Sequence, residues 1–113
     1  MLNWDYLHEI TGGDSEFIAE LLSDFLNVAP ELLAQIEQAI AQGDAAALTR
    51  AAHTLKGSAR SIGAESLAEK ALALEQIGKS GTLQGAPEAL PLLHAQWAQL
   101  QSYLQNWLQQ QAA

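Results

Sequence analysis

The stretch Ala52-His53-Thr54-Leu55-Lys56-Gly57-Ser58 is the part of this chain best equipped for chemistry. Read as helix, with the apolar positions of the segment set near 0°, Lys56 projects at roughly 80°, Arg60 at roughly 120°, His53 at roughly 140° and Gly57 at roughly 180°. These positions share one solvent-facing strip, so His53 reads as an exposed histidine and not as a core one. A neutral imidazole, with an ordinary pKa of ~6.5, is a good nucleophile near neutrality and can form covalent intermediates. A phosphorylated imidazole carries about two negative charges, and a lysine one turn along offsets part of them through a charge-assisted hydrogen bond. Glycine in mid-helix costs ~1 kcal/mol relative to alanine. On an exposed strip it leaves space through which a partner can reach the ring.

What the strip lacks is equally informative. It has no glycine-rich phosphate cradle and no pair of aspartates for Mg²⁺. Phosphoryl transfer needs positioned metal and charge stabilisation, so the chain offers an acceptor and expects the catalytic groups from a partner. His8 and His94 stand out only because histidine is rare here; no pair of histidines shares i, i+4 spacing with a carboxylate, and no metal site is predicted. His94 reads as a packed or half-exposed helix residue, and His8 lies in a short first helix. Ser58 and Ser61 project away from His53, and no Ser-His-Asp arrangement is visible. Trp4, Trp97 and Trp107 read as packing residues.

Charge narrows the partners. The 113 residues carry a net charge of −8, which argues against nucleic acid or an anionic membrane as the partner. Residues 1–49 hold nine acids and no Lys or Arg, whereas Arg50, Lys56, Arg60, Lys70 and Lys79 all fall between positions 50 and 79. A positive island on an acidic protein suits a docking phosphoryl group or an acidic partner surface. There is no cysteine, hence no disulfide or thiol chemistry. No apolar run approaches the ~20 residues of a membrane span, and Met1-Leu2-Asn3-Trp4-Asp5 lacks a signal-peptide pattern. The expectation is a cytoplasmic, monomeric protein with no cofactor. The initiating Met1 and the helical end without a linker favour a free-standing protein.

The elements that must position the strip are all helical. Ala, Leu, Gln and Glu dominate and valine occurs once, a composition rich in helix formers and poor in strand formers. A short helix is predicted near Asn3–Ile10, capping one end. Gly12-Gly13-Asp14 reads as a turn ending in an N-cap. Ile18, Leu21, Leu22, Phe25, Ala29, Leu32, Leu33, Ile36 and Ile40 then recur at helical spacing, with Pro30 either kinking or restarting the helix. Gly43-Asp44 reads as a C-cap followed by an N-cap. The histidine helix runs from about Asp44 to Ile62 with Leu48, Ala51, Ala52, Leu55, Ala59 and Ile62 inward, and Gly63 ends it. Ser66 with Glu69 suggests a capping box for the next helix, which turns Leu67, Ala71, Leu74 and Ile77 inward. Residues 78–85 read as a flexible loop. The last helix carries Leu90, Leu93, Trp97, Leu100, Leu104 and Trp107 at alternating spacings of three and four, a packing seam; whether it starts at Pro87 or after Pro91 is left open. Four long amphipathic segments joined by short turns predict an all-α, antiparallel up-down four-helix bundle in one domain, residues 1–113.

The segment Ala52-His53-Thr54-Leu55-Lys56-Gly57-Ser58-Ala59, followed by Ile62-Gly63-Ala64, resembles the signature of histidine-containing phosphotransfer (HPt) domains. Gly12-Gly13-Asp14-Ser15-Glu16-Phe17 with Glu20-Leu21-Leu22 and Phe25, and Leu74-Glu75 with Gly78, are also similar to that family, so the resemblance covers roughly residues 5–80. It implies a bundle that takes a phosphoryl group from a receiver-domain aspartate and passes it to another receiver, usually through Nε2 of a histidine. His53 matches the phosphorylated histidine, Lys56 the phosphate-pairing lysine and Gly57 the small residue beside the ring. Glu75 falls where the family often has glutamine or glutamate near the imidazole. A carboxylate there can accept from Nδ1–H and hold the tautomer that frees Nε2; the plainer reading of Glu75 is a surface acid. Arg50, Gly57, Arg60 and Ala64 are the expected docking positions.

The partners so implied are response-regulator receiver domains carrying their own Mg²⁺, and a hybrid sensor kinase. Two other functions compete. In one, the chain is the phosphoacceptor domain of a chemotaxis-type kinase, to which Glu75 in place of glutamine gives weight. In the other it is a helical adaptor with no phosphoryl chemistry. A sensor-kinase dimerisation helix pair fits poorly, because those histidines are usually followed by an acid and a Thr/Asn-Pro pair, and no proline lies between Pro30 and Pro87.

Overall fold

Side-chain caps divide the chain where its polar punctuation stands. In the computed structural model, which describes residues 1–112, the helices are α1 (Trp4–Thr11), α2 (Ser15–Gln42), α3 (Ala45–Ser61), α4 (Glu65–Lys79) and α5 (Ala86–Ala112). Asn3 accepts from the Tyr6 N–H, Asp14 from those of Glu16 and Phe17, and Asp44 from that of Ala47. Each cap satisfies donors that a helix start leaves unpaired. No strand occurs among the described residues.

The four long helices form a ring in which α2 packs on α3, α3 on α4, α4 on α5 and α5 on α2. This is the expected up-down bundle. The seam of α5 faces inward, with Leu93, Leu100 and Leu104 fully buried and Trp97 set edge-on against Phe25 of α2 at 5.9 Å. The 28 residues of α2, at ~1.5 Å each, account for most of the 45 Å long axis. The α3–α4 hairpin is shorter, and α1 fills the end it leaves free. There the Asn3 N–H donates to the Gly63 carbonyl (2.9 Å). Trp4 donates through Nε1 to the Tyr103 hydroxyl (2.7 Å) and packs on Trp107.

Three local expectations are settled or corrected. Helix α2 runs unbroken through Pro30, and α5 begins at Ala86 with Pro91 inside it; both prolines lie on exposed positions. The Ser66–Glu69 capping box is overturned: α4 starts at Glu65, behind Ala64, with no side-chain cap. The turn decides this. Gly63 adopts φ 76° and the Ala64 N–H returns to the Ala59 carbonyl at 2.9 Å, so the backbone enters the helix before Ser66 can cap it. Gly63 has a second constraint, since a Cβ there would stand 3.0 Å from the Asn3 backbone nitrogen.

The last correction concerns Gly78, which belongs to α4 and not to the loop. A side chain at this position would meet Thr49 and, at 2.9 Å, the Ala45 carbonyl oxygen. Together with Ala52, Ala59, Ala68 and Ala71, all buried, Gly78 lets α3 and α4 approach closely. Gly57 is the opposite case, with nothing within 4 Å of where a Cβ would stand. Gly78→Ala is therefore expected to destabilise the fold by roughly 1–3 kcal/mol through overpacking. Gly57→Ala should stabilise it by up to ~1 kcal/mol through helix propensity. Urea unfolding should move the two midpoints in opposite directions; a raised midpoint for Gly78→Ala would show that α3 and α4 separate without cost.

Candidate functional site

The Gly63 turn folds α4 back along α3 and sets residues nearly equidistant from it at the same height. His53 precedes the turn by ten residues and Glu75 follows it by twelve, and their side chains meet. His53 Nδ1 lies 2.8 Å from Glu75 Oε2. Lys56 Nζ reaches the other oxygen, Oε1, at 2.5 Å, and Lys79 Nζ lies 3.3 Å from Oε2. One carboxylate thus gathers three nitrogens from two helices.

Burial makes this cluster more than a surface ion pair. Glu75 is 1% exposed, and an unpaired buried charge would be costly. Lys56 is the foremost cause that lowers its pKa from 4.5 to about 2; burial pushes the other way, and His53 and Lys79 add to the lowering. The carboxylate is consequently ionised and can only accept. That assigns the proton to His53 Nδ1 and leaves the Nε2 lone pair free. The His53 side chain is 67% exposed, so its Nδ1 edge is anchored while the rest of the ring faces solvent.

The two lysines differ in kind. Only 14% of the Lys56 side chain is exposed, against 63% for Lys79. Withdrawing Lys56 would leave a buried carboxylate short of its counter-ion, a change that typically costs 3–5 kcal/mol. The exposed Lys79 contact belongs with surface ion pairs, typically worth ~0–1 kcal/mol.

The positions read from sequence distribute as follows. His53, Lys56 and Glu75 come together, and Gly57, Arg50 and Arg60 are exposed on α3. The surface-acid reading of Glu75 is excluded by its burial. Lys56 corrects the strip: it lies at the flank of the apolar stripe and turns inward onto Glu75, not outward beside His53. Ala64 is also corrected. At 1% exposure it is a core residue at the start of α4 and offers no docking surface. Lys79 is the member that sequence reasoning did not place. Its i, i+4 spacing from Glu75 was the available signal. His94 pairs with Glu37 of α2 at 2.8 Å, half-exposed, and Ser58 and Ser61 turn toward α2. Among the described residues no group of three or more metal-ligating side chains is assembled, and no helix is long and apolar enough to cross a membrane.

Comparison with known proteins bears on the family and the fold. The family model described as Hpt domain matches residues 20–107. The structure is similar to histidine-containing phosphotransfer protein B (HptB) from Pseudomonas aeruginosa PAO1, with TM-score 0.89 and 28% identity over 96% of this chain and 95% of that one. It is also similar to the HPT domain from the Hpt sensor hybrid histidine kinase of Shewanella, with TM-score 0.80 and 27% identity over 99% of this chain and 97% of that one. No curated protein matches the sequence.

The lowered pKa of Glu75 has a consequence for acid stability. A carboxylate whose folded pKa lies below its unfolded value contributes stability that is complete above about pH 4.5 and is lost as pH falls toward about 2. The stability advantage of the parent protein over Glu75→Gln should shrink by roughly 2 kcal/mol between about pH 5 and pH 3. Urea midpoints measured across that range check it. A constant gap would mean that Glu75 is not held ionised by its neighbours.

Proposed function

This chain belongs to the Hpt domain family, the carriers of histidine phosphotransfer in two-component phosphorelays, and from that premise we propose that His53 is its phosphoacceptor. The observation that carries the reading is the anchored imidazole: Nδ1 is tied to the buried Glu75 carboxylate and the ring is otherwise exposed. In the proposed step, the Nε2 lone pair attacks phosphorus of a receiver's phosphoaspartate. The N–P bond forms as the P–O bond to the aspartyl carboxylate breaks, and that carboxylate leaves with the electron pair. Positive charge develops on the ring, and Glu75 stabilises it through Nδ1–H. Transfer to a second receiver runs the same step in reverse. The chain is a carrier, and Mg²⁺ and the remaining charge stabilisation belong to the receiver.

Docking is proposed to centre on Gly57, where nothing fills the space a side chain would take, with Arg50 and Arg60 exposed on the same helix. Beside it lies a groove of about 180 Å³ between α2 and α3, lined by Leu21, Asp24, Phe25 and Val28 across from Ser58 and Ser61. That is small against the ~300–1,000 Å³ of small-molecule sites and suits an apolar side chain of a partner. The reading assigns the chain to the cytoplasm as a monomeric single domain spanning residues 1–113, with receivers and a hybrid kinase as partners. A chemotaxis-type kinase core remains the competing donor, favoured by the carboxylate at position 75.

Incubation with a phosphorylated receiver, and separately with a kinase core and ATP, distinguishes the donors. His53→Gln should abolish labelling with helical content unchanged; full labelling of that variant would refute the assignment. Gly57→Leu should slow transfer from the receiver at least tenfold while the bundle stays folded. An unchanged rate would remove the open face from the docking surface.

A further inference from the structure

We propose that Gly78 is a positioning residue for His53: its missing side chain holds α4 so close to α3 that Glu75 can fix the imidazole. The consequence for phosphoryl acceptance rests on the phosphoacceptor reading above.

The two facing helices are built for close approach. On α4, Ala68, Ala71, Glu75 and Gly78 recur at alternating intervals of three and four, and all are buried. On α3, Ala45, Thr49, Ala52, Lys56 and Ala59 recur in the same way. Each row consists of small residues interrupted by one charge, and the two charges meet. Thr49 precedes His53 by four residues and Gly78 follows Glu75 by three. The Thr49–Gly78 contact therefore lies about one helical turn from the His53–Glu75 contact. It stands on the side away from the Gly63 turn, where no short connection ties the hairpin together. There the contact itself sets how far apart the helices stand.

A Cβ at position 78 would overlap Thr49 Oγ1 and stand 2.9 Å from both the Thr49 nitrogen and the Ala45 carbonyl oxygen. The hydroxyl can turn aside, but the two backbone atoms cannot. Ordinary van der Waals contact begins near 3.4 Å, so Gly78→Ala moves α4 away from α3 by about 0.5 Å. His53 Nδ1 lies 2.8 Å from Glu75 Oε2, and N–H···O bonds lie within ~2.7–3.2 Å. A displacement small enough for the bundle to absorb thus takes the anchoring bond out of range. Nothing then keeps the proton on Nδ1. A free imidazole exchanges between tautomers and favours Nε2–H in water, and a protonated Nε2 has no lone pair for phosphorus. The fraction of rings ready to accept falls accordingly.

The test uses the full chain with its histidines labelled with nitrogen-15; His53→Gln identifies the His53 signals. At about pH 9, where histidine is neutral, the parent protein should show the Nδ1–H tautomer at His53. In Gly78→Ala the two ring nitrogens should move toward the Nε2–H pattern. Formation of phosphohistidine from phosphoramidate, followed by phosphorus NMR, should slow at least threefold. Leu104→Val trims the core on α5 and leaves the α3–α4 interface intact, so it should lower stability while both readouts stay parental. Circular dichroism verifies folding. Where Gly78→Ala alone does not fold, its combination with Thr49→Ala removes the nearest obstacle, keeps both backbone ones and carries the same comparison. Parental His53 nitrogens in the folded variant overturn the proposal while the phosphoacceptor reading stands, and so does an equal movement in Leu104→Val. No phosphohistidine in the parent protein overturns both.

Discussion

An ionised carboxylate inside a helical bundle imposes conditions on everything around it. Glu75 is closed off from water between α3 and α4, and its charge is tolerable only because donors arrive from both helices. Those donors meet it only if the two helices run antiparallel, level and close. The Gly63 turn sets the level. The alanines of the interface and Gly78 set the distance, since a side chain at position 78 would strike Thr49 and the Ala45 carbonyl. Backbone geometry far from His53 thus determines whether its ring is anchored. A change that separates α3 from α4 would leave the fold recognisable and still release the imidazole.

The same carboxylate gives the histidine two unlike edges. Nδ1 faces a fixed acceptor and Nε2 faces solvent, so tautomer and orientation are set before any partner arrives. Preorganisation of this kind lowers the cost of reaching a reactive geometry, and it asks nothing of the exposed face beyond access. That explains why the surface over the ring carries so little machinery: a glycine, two arginines and a shallow groove. On the proposed reading, a carrier that must fit more than one receiver gains from a docking face that is open and chemically spare, because the elaborate part of the reaction would lie across the interface.

How much of this was legible in the sequence depends on the range of the interaction. The outward phase of His53 and Gly57, the caps at Asp14 and Asp44 and the seam from Leu90 to Trp107 are local, and each follows from periodicity or capping chemistry. Glu75 was reached through family resemblance, because pairing across a hairpin depends on where the turn falls. In retrospect its phase is telling. Glu75 follows Leu74 at the flank of the α4 stripe, as Lys56 follows Leu55 at the flank of the α3 stripe, and opposite charges at facing flanks are placed to meet. The capping box at Ser66 failed because a backbone turn, which leaves no side-chain signature apart from Gly63, started α4 earlier. Ala64 failed for a related reason: proximity to the motif in sequence says nothing about which side of a turn faces the core.

The positive island also changes meaning once its charges are traced to partners. Lys56 and Lys79 both spend their charge on Glu75, so the cluster beneath His53 carries one net positive charge, not two. On the proposed reading that modest excess attracts the anionic pocket of a phosphorylated receiver. A phosphoryl group on His53 adds about two negative charges and reverses the sign of the site. The reversal favours separation from the emptied donor, whose aspartate is again ionised. On the same reading, the next receiver overcomes that repulsion with positive charge of its own, which a bound metal would supply. Electrostatics of this kind acts on encounter and release more than on depth of binding, which is what a molecule that must let go of each partner requires.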